Sequence, residues 1–321
     1  MMLVSRGRSR PLFFADNSAS LMTNGNPDTR DGLIAALLAY TMWGVLPVYF
    51  KVVGDVSALE VLVHRIVWAV PFGAMIIMAR RQWPEVRRAL THKGMISMLT
   101  LAAVLIAGNW FVYIWAVQTD RIFQASLGYY INPLLFTLVG VFFLGEKLHK
   151  FQTAAVYLAA AGVMVLTVSG GELPWISLVL GTSFTIYGVI RKRVVIGGMP
   201  GLFIETLVLF PVSAAYLVWL MSRGTAAFTP DDMQMAGLLL LAGPVTVLPL
   251  LFFALAARRL NLSTVGFMQF IAPTLQFITG IAYGEELTTA HIICFTLIWI
   301  AVGLFSCDAW RRSRSGAGQI T

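Results

Sequence analysis

Cysteine and charge are what this 321-residue chain has least of. Its two cysteines, Cys294 and Cys307, fall in one late apolar segment, which excludes a disulfide framework, and their spacing fits no zinc-ligand pattern. Charged residues make up 12% of the chain, against about 25% in ordinary soluble domains, while 58% are hydrophobic. So few charges cannot wet a surface, because roughly 55–60% of a soluble protein's surface is already apolar atoms. A water-soluble globule is excluded; lipid is the expected solvent. A phosphate-cradling loop is also missing. Gly140 to Lys147 imitates one, but Glu146 stands where lysine is required, which excludes an ATP-driven pump. No second His or Cys follows His64 at ligand spacing, so neither a metal nor a cofactor is expected. The longest polar connection, about 80–94, holds mainly Arg and Trp83 and offers no nucleophile with a base, which argues against a membrane enzyme.

What the chain has in quantity is apolar runs. One bilayer crossing takes about 20 apolar residues. Hydropathy places ten crossings, near 33–50, 60–79, 95–117, 122–144, 151–168, 174–190, 202–221, 236–257, 263–283 and 291–309. Continuous stretches such as Leu33 to Leu38 exclude the alternating pattern of a transmembrane β-barrel. Residues 1–31 carry Arg6, Arg8, Arg10 and Arg30 and only Leu12 to Ala15 as an apolar patch, so they read as a disordered cytoplasmic tail, with Met22 as an alternative translation start to Met1. Residues 310–321 read as a cytoplasmic C-tail. Lys and Arg accumulate on the cytoplasmic side of membrane proteins. Alternate connections and the two tails hold 19 of them and the opposite connections 3, so both termini are expected in the cytoplasm. The net charge of +8 is therefore a topology signal, and no nucleic-acid partner is expected.

The chain also repeats itself. At an offset of 140, Ala102, Ala116, Ile131, Pro133 and Gly140 meet Ala242, Ala256, Ile271, Pro273 and Gly280. At 144, Thr41, Gly44 and Val45 meet Thr185, Gly188 and Val189; at 145, Glu60, Leu62 and Val63 meet Glu205, Leu207 and Val208. Gly145, Glu146 and Leu148 meet Gly284, Glu285 and Leu287 at 139. Five helices are duplicated, and five is odd, so the second copy must enter the membrane from the opposite face. The expected fold is all-α integral membrane, with ten transmembrane helices as two inverted five-helix repeats over 32–168 and 174–309. Inverted repeats suit alternating access, since one asymmetric half in two orientations supplies both gates around a midplane site.

The two half-endings and the proline in the fourth helix of each half resemble the EamA-type drug/metabolite transporter superfamily. His64-Arg65, Gly108-Asn109-Trp110, Ser126-Leu127-Gly128-Tyr129 with Ile131-Asn132-Pro133-Leu134, Tyr187-Gly188 before Arg191-Lys192, and Leu262-Ser263-Thr264 with Pro273-Thr274-Leu275 resemble the RarD permeases over about residues 30–310. The resemblance implies a bacterial inner-membrane permease of a small molecule, a family linked by name to chloramphenicol.

Polar residues inside spans without a polar partner in the other half are the candidates for substrate contact. Arg65 lies opposite Phe210, and an arginine within a span is a functional hypothesis by default. Asn109, Trp110 and Tyr113 offer an amide and aromatic rings suited to an amphipathic substrate. Gln124, Tyr129, Asn132 and Gln269 are further pore-lining candidates, with helix-to-helix hydrogen bonding as the alternative. Glu60 and His64, spaced i, i+4, could pass a proton, and Glu205 mirrors Glu60, so these three are candidate coupling or gate groups. Matched residues are read as structural: Pro133 and Pro273 as helix breaks, Gly140 and Gly280 as close-approach points. The expected function is a secondary permease or exporter of small amphipathic metabolites or drugs, with protons as the candidate coupling ion. The alternative is an uncoupled channel or lipid scramblase. No oligomeric state is specified.

Overall fold

The computed structural model describes residues 27–144, 150–171, 173–260 and 262–316. The expectations for residues 1–26, including the choice between Met1 and Met22, and for Gly145 to Leu148 lie outside them. Every regular element described is helical: α1 Pro27–Val52, α2 Ala58–Ala79, α3 Trp83–Thr91, α4 Lys93–Gln118, α5 Ile122–Leu144, α6 Lys150–Gly170, α7 Trp175–Arg193, α8 Gly198–Ser222, α9 Met233–Ala257, α10 Leu262–Met268, α11 Ile271–Ala282 and α12 Thr289–Gly316.

Local chemistry sets several of the starts. Pro27 opens α1 with Asp28 in its first turn, which suits a position lacking a hydrogen-bonded N–H and the positive end of the helix dipole. Ser57 accepts from the Glu60 N–H at 3.3 Å to cap α2, and Asp232 accepts from the Met235 N–H at 2.8 Å to cap α9. Nine segments among the described residues are long and apolar enough to cross a bilayer.

The expected crossing at 174–190 is not one of the nine, although it forms a helix, α7. Ser177, Thr182, Ser183 and Thr185 dilute its hydropathy, and Arg191, Lys192 and Arg193 occupy its last turn. That composition fits its place. It packs against α4 and α5, with Ser177, Leu180 and Thr185 buried, so it needs less apolar surface than a helix facing lipid.

Other boundaries differ from expectation. The expected loop at 80–94 contains α3, a nine-residue amphipathic helix that buries Val86 and Ala89 and leaves Arg87 and Arg88 exposed. α1 begins at Pro27, inside the expected tail, and α12 runs on to Gly316. The expected crossing at 263–283 is divided into α10 and α11 by Gln269 and Phe270. Pro273 cannot donate to the carbonyl four residues back, that of Gln269, so the break precedes it by one turn. Pro133, expected to break its helix likewise, sits inside an uninterrupted α5. There, in the amide orientation its neighbours satisfy, Asn132 donates to the Gly128 and Gly181 carbonyls at 3.2 Å each, tying α5 to α7 beside the proline.

The helices pair in a regular way. α2 packs on α8, α6 on α12 and α5 on α11. α1 packs on α9 and α11, while α7 packs on α4 and α5; α2 meets α9, and α8 meets α4. Three matched glycines lie at close helix approaches. A Cβ on Gly44 would stand 2.7 Å from Leu275, one on Gly188 2.5 Å from the Phe136 ring and one on Gly280 2.8 Å from Phe123. Gly140 lies within α5.

Candidate functional site

Residues of α1, α4, α5 and α9 gather around Arg65 of α2. Its side chain is buried, 4% exposed, and its Nε donates to Thr246 Oγ1 on α9 at 3.0 Å. The guanidinium carbon sits 4.4 Å from the Trp110 ring centroid and 5.4 Å from that of Phe50. The phenols of Tyr49, Tyr113 and Tyr129 lie within electrostatic range of the charge. Aromatic rings continue around it: Phe50 to Tyr113 at 5.9 Å, Tyr113 to Tyr129 at 5.6 Å and Tyr129 to Phe184 at 6.1 Å between centroids.

Asn109 anchors the α4 side of this cluster to α7, its Nδ2 donating to the Leu180 carbonyl at 3.0 Å and to Ser183 Oγ at 2.9 Å. Its Oδ1 accepts from the Tyr129 hydroxyl at 3.5 Å. Two donors are left over. Arg65 Nη1 and the Tyr113 hydroxyl are buried with no hydrogen-bond partner, and no carboxylate among the described residues lies within 4.0 Å of the guanidinium. An orphaned buried donor costs about 1–3 kcal/mol, more when charged. Both orphaned donors therefore sit in the same aromatic cluster.

Arg65, Asn109, Trp110, Tyr113 and Tyr129 are brought together; the remaining candidates are not. Asn132 is spent on the α5–α7 contact. Gln124 has a buried Oε1 without a partner, and Gln269 sits at the α10–α11 break; among the described residues neither hydrogen-bonds to the cluster. Tyr49, Phe50 and Thr246 belong to it and were missed by sequence reasoning. Thr246 carried a signal, because at the offset of 140 it lies opposite Ile106 and so satisfies the unmatched-polar criterion.

Glu60 and His64 form a separate group one turn away. Glu60 Oε1 accepts from the Ala227 N–H at 2.6 Å and lies 3.9 Å from His64 Nε2. Trp68 Nε1 donates to His64 Nδ1 at 3.1 Å, so the neutral ring carries its proton on Nε2, toward Glu60. Glu205 lies on α8, accepting from the Tyr187 hydroxyl at 3.1 Å and facing Arg191 Nε at 3.4 Å. Outside the crossings, both oxygens of Glu285 accept from the Phe123 N–H at 3.0 and 3.1 Å, holding the loop after α11 to the start of α5. Burial pushes this carboxyl up to about 7, opposed by the backbone donors of Phe123 and Ile122. Lys51, ion-paired with Asp120, lies beside it with its Nζ 5.9 Å from the Tyr283 ring centroid. An open cavity of about 450 Å³ lies elsewhere, lined by Asp28, Thr29, Arg80, Leu255, Arg258 and Arg259. Its basic lining matches the arginine-rich connections rather than the aromatic cluster.

Apolar helices converging on a buried cation walled by aromatic rings define a polytopic membrane protein with a central polar cluster. Residues 30–168 match the EamA-like transporter family. "Protein RarD" of Salmonella typhi is 43% identical over 282 residues, covering 88% of this chain and 96% of its own. An "Uncharacterized transporter" of Vibrio cholerae is 44% identical over 288 residues, covering 89% and 95%. A "Chloramphenicol-sensitive protein RarD" of Pseudomonas aeruginosa is 29% identical over 291 residues. A solved crystal structure shares the fold at a TM-score of 0.57 and 16% identity, covering 86% of this chain and 97% of its own. The chain belongs to the EamA/RarD permease family. It is a membrane transporter.

Proposed function

We propose that the chain is a secondary-active permease of small amphipathic metabolites or drugs in a bacterial inner membrane, and that the Arg65 cluster is its substrate site. Both termini face the cytoplasm, α7 is the tenth crossing, and 32–168 and 174–309 are inverted repeats working by alternating access. The observation that carries this reading is the helix pairing. Exchanging α1 with α7, α2 with α8, α4 with α9, α5 with α10–α11 and α6 with α12 turns the main pairings into one another: α1–α9 becomes α7–α4, α1–α11 becomes α7–α5, and α2–α9 becomes α8–α4. In this reading the two-fold leaves a centre common to both halves, which the side chains of α1, α2, α4, α5 and α9 around Arg65 would occupy, with α7 joined to it through Asn109.

Glu60 on α2 and Glu205 on α8 are related by the same exchange, and in this reading they lie toward opposite faces as gate or proton-coupling groups, Glu60 beside His64 and Glu205 beside Tyr187 and Arg191. The test is counterflow in proteoliposomes with and without a pH gradient. Labelled chloramphenicol serves as first probe, after the name of the Pseudomonas relative, alongside a set of labelled aromatic acids. Transient uptake against a preloaded unlabelled pool is expected, with an initial rate that changes several-fold with the gradient. Flux indifferent to the gradient contradicts proton coupling, and equilibration without overshoot for every probe contradicts alternating access.

A further inference from the structure

We infer that the Arg65 cluster binds the carboxylate of a planar aromatic monoanion, an inference that rests on reading the cluster as the substrate site. The guanidinium stacks on Trp110 and uses Nε on Thr246, which leaves the Nη1 edge without an acceptor. That edge is what a carboxylate engages, since guanidinium N–H groups lie in its plane in a fork matching two oxygens. The Tyr113 hydroxyl, on a side chain only 2% exposed, supplies a second unpartnered donor. The rings of Phe50, Tyr113, Tyr129 and Trp110 around these donors match the faces of a flat ligand.

Charge fixes the rest. Glu60, the nearest acid along α2, is hydrogen-bonded to Ala227 and faces His64, so no carboxylate among the described residues pairs with Arg65. A neutral ligand leaves a buried cation uncompensated, and a cationic one adds to it; a single negative charge on the ligand balances the site.

Purified protein in detergent should be titrated calorimetrically with benzoate, with its uncharged isostere nitrobenzene and with benzylammonium. Benzoate is expected to bind at least tenfold more tightly than nitrobenzene, with benzylammonium weaker than both. Arg65→Gln should reduce the preference for benzoate over nitrobenzene to less than twofold. Tyr113→Phe, which keeps the ring, should weaken benzoate about threefold to tenfold and leave nitrobenzene unchanged. Equal binding of the two isosteres, a preference that survives Arg65→Gln, or no benzoate binding at millimolar concentration overturns the inference. The two readings fail separately. Charge-selective binding without counterflow of any aromatic acid removes the transport role and keeps the ligand class. Counterflow of neutral compounds with no charge preference does the reverse.

Discussion

Arg65→Ala is expected to reduce counterflow by two to three orders of magnitude while the protein still folds and inserts. Truncating one partner of a buried, hydrogen-bonded charge pair costs about 2–5 kcal/mol. At a factor of ten for every 1.4 kcal/mol, that is roughly 30-fold to 4,000-fold in binding. The folded apo protein loses much less. Its stacking on Trp110 contributes about 2 kcal/mol when desolvated, but the unpaired buried cation carries a desolvation penalty of several kcal/mol, so the two terms oppose each other. Arg65→Lys keeps the charge and loses the planar edge, and is expected to fall between alanine and wild type. The initial counterflow rate, normalised to the amount of monodisperse protein reconstituted, measures both. Wild-type flux in Arg65→Ala would remove the site.

The second large effect is structural, at the contact that aims Arg65. A Cβ on Gly243 would lie 2.6 Å from the Trp68 carbonyl oxygen and 2.8 Å from its carbon, with the Phe72 ring at 2.7 Å. Backbone atoms cannot rotate away, so α2 and α9 would have to separate. Trp68 follows Arg65 by three residues and Thr246 follows Gly243 by three, so this approach is what brings Arg65 Nε to 3.0 Å from Thr246. Overpacking costs about 1–3 kcal/mol, occasionally more. Gly243→Ala is expected to lower the thermal midpoint in detergent by about 2–10 °C. Gly243→Val should leave little monodisperse protein. Gly237→Ala, on the same helix with nothing within 4 Å, is the control and should change the midpoint by less than the alanine at 243 does. An unchanged Gly243→Ala would mean that the α2–α9 contact does not set the geometry of Arg65.

Most crossings were legible because lipid selects apolar runs by length, whatever packs against them. α7 was legible as a segment but weak as a crossing, since Ser177 and Thr185 face neighbouring helices rather than lipid. Pro133 and Pro273 look identical in the sequence, yet α5 runs through the first and the chain breaks before the second. Proline alone does not decide it, since Pro47, Pro71, Pro211, Pro244 and Pro249 also lie inside unbroken helices. Within the cluster, Arg65, Asn109 and Tyr113 announced themselves as polar groups in apolar helices. Phe50 did not, because an aromatic ring beside a cation reads the same as one beside leucine until the fold is known. Asn132 shows the opposite case: a polar side chain inside a membrane helix must find partners, and here a neighbouring helix supplies them.

The central claim, one buried site reached in turn from the two sides of the bilayer, is tested most directly by accessibility at Thr246. Thr246→Cys, in a background with Cys294→Ala and Cys307→Ala, places a single thiol beside Arg65. It should be probed with a membrane-impermeant thiol reagent in right-side-out and in inverted vesicles. Labelling from both orientations is the expected result. Labelling confined to one orientation, or absent from both, would contradict it.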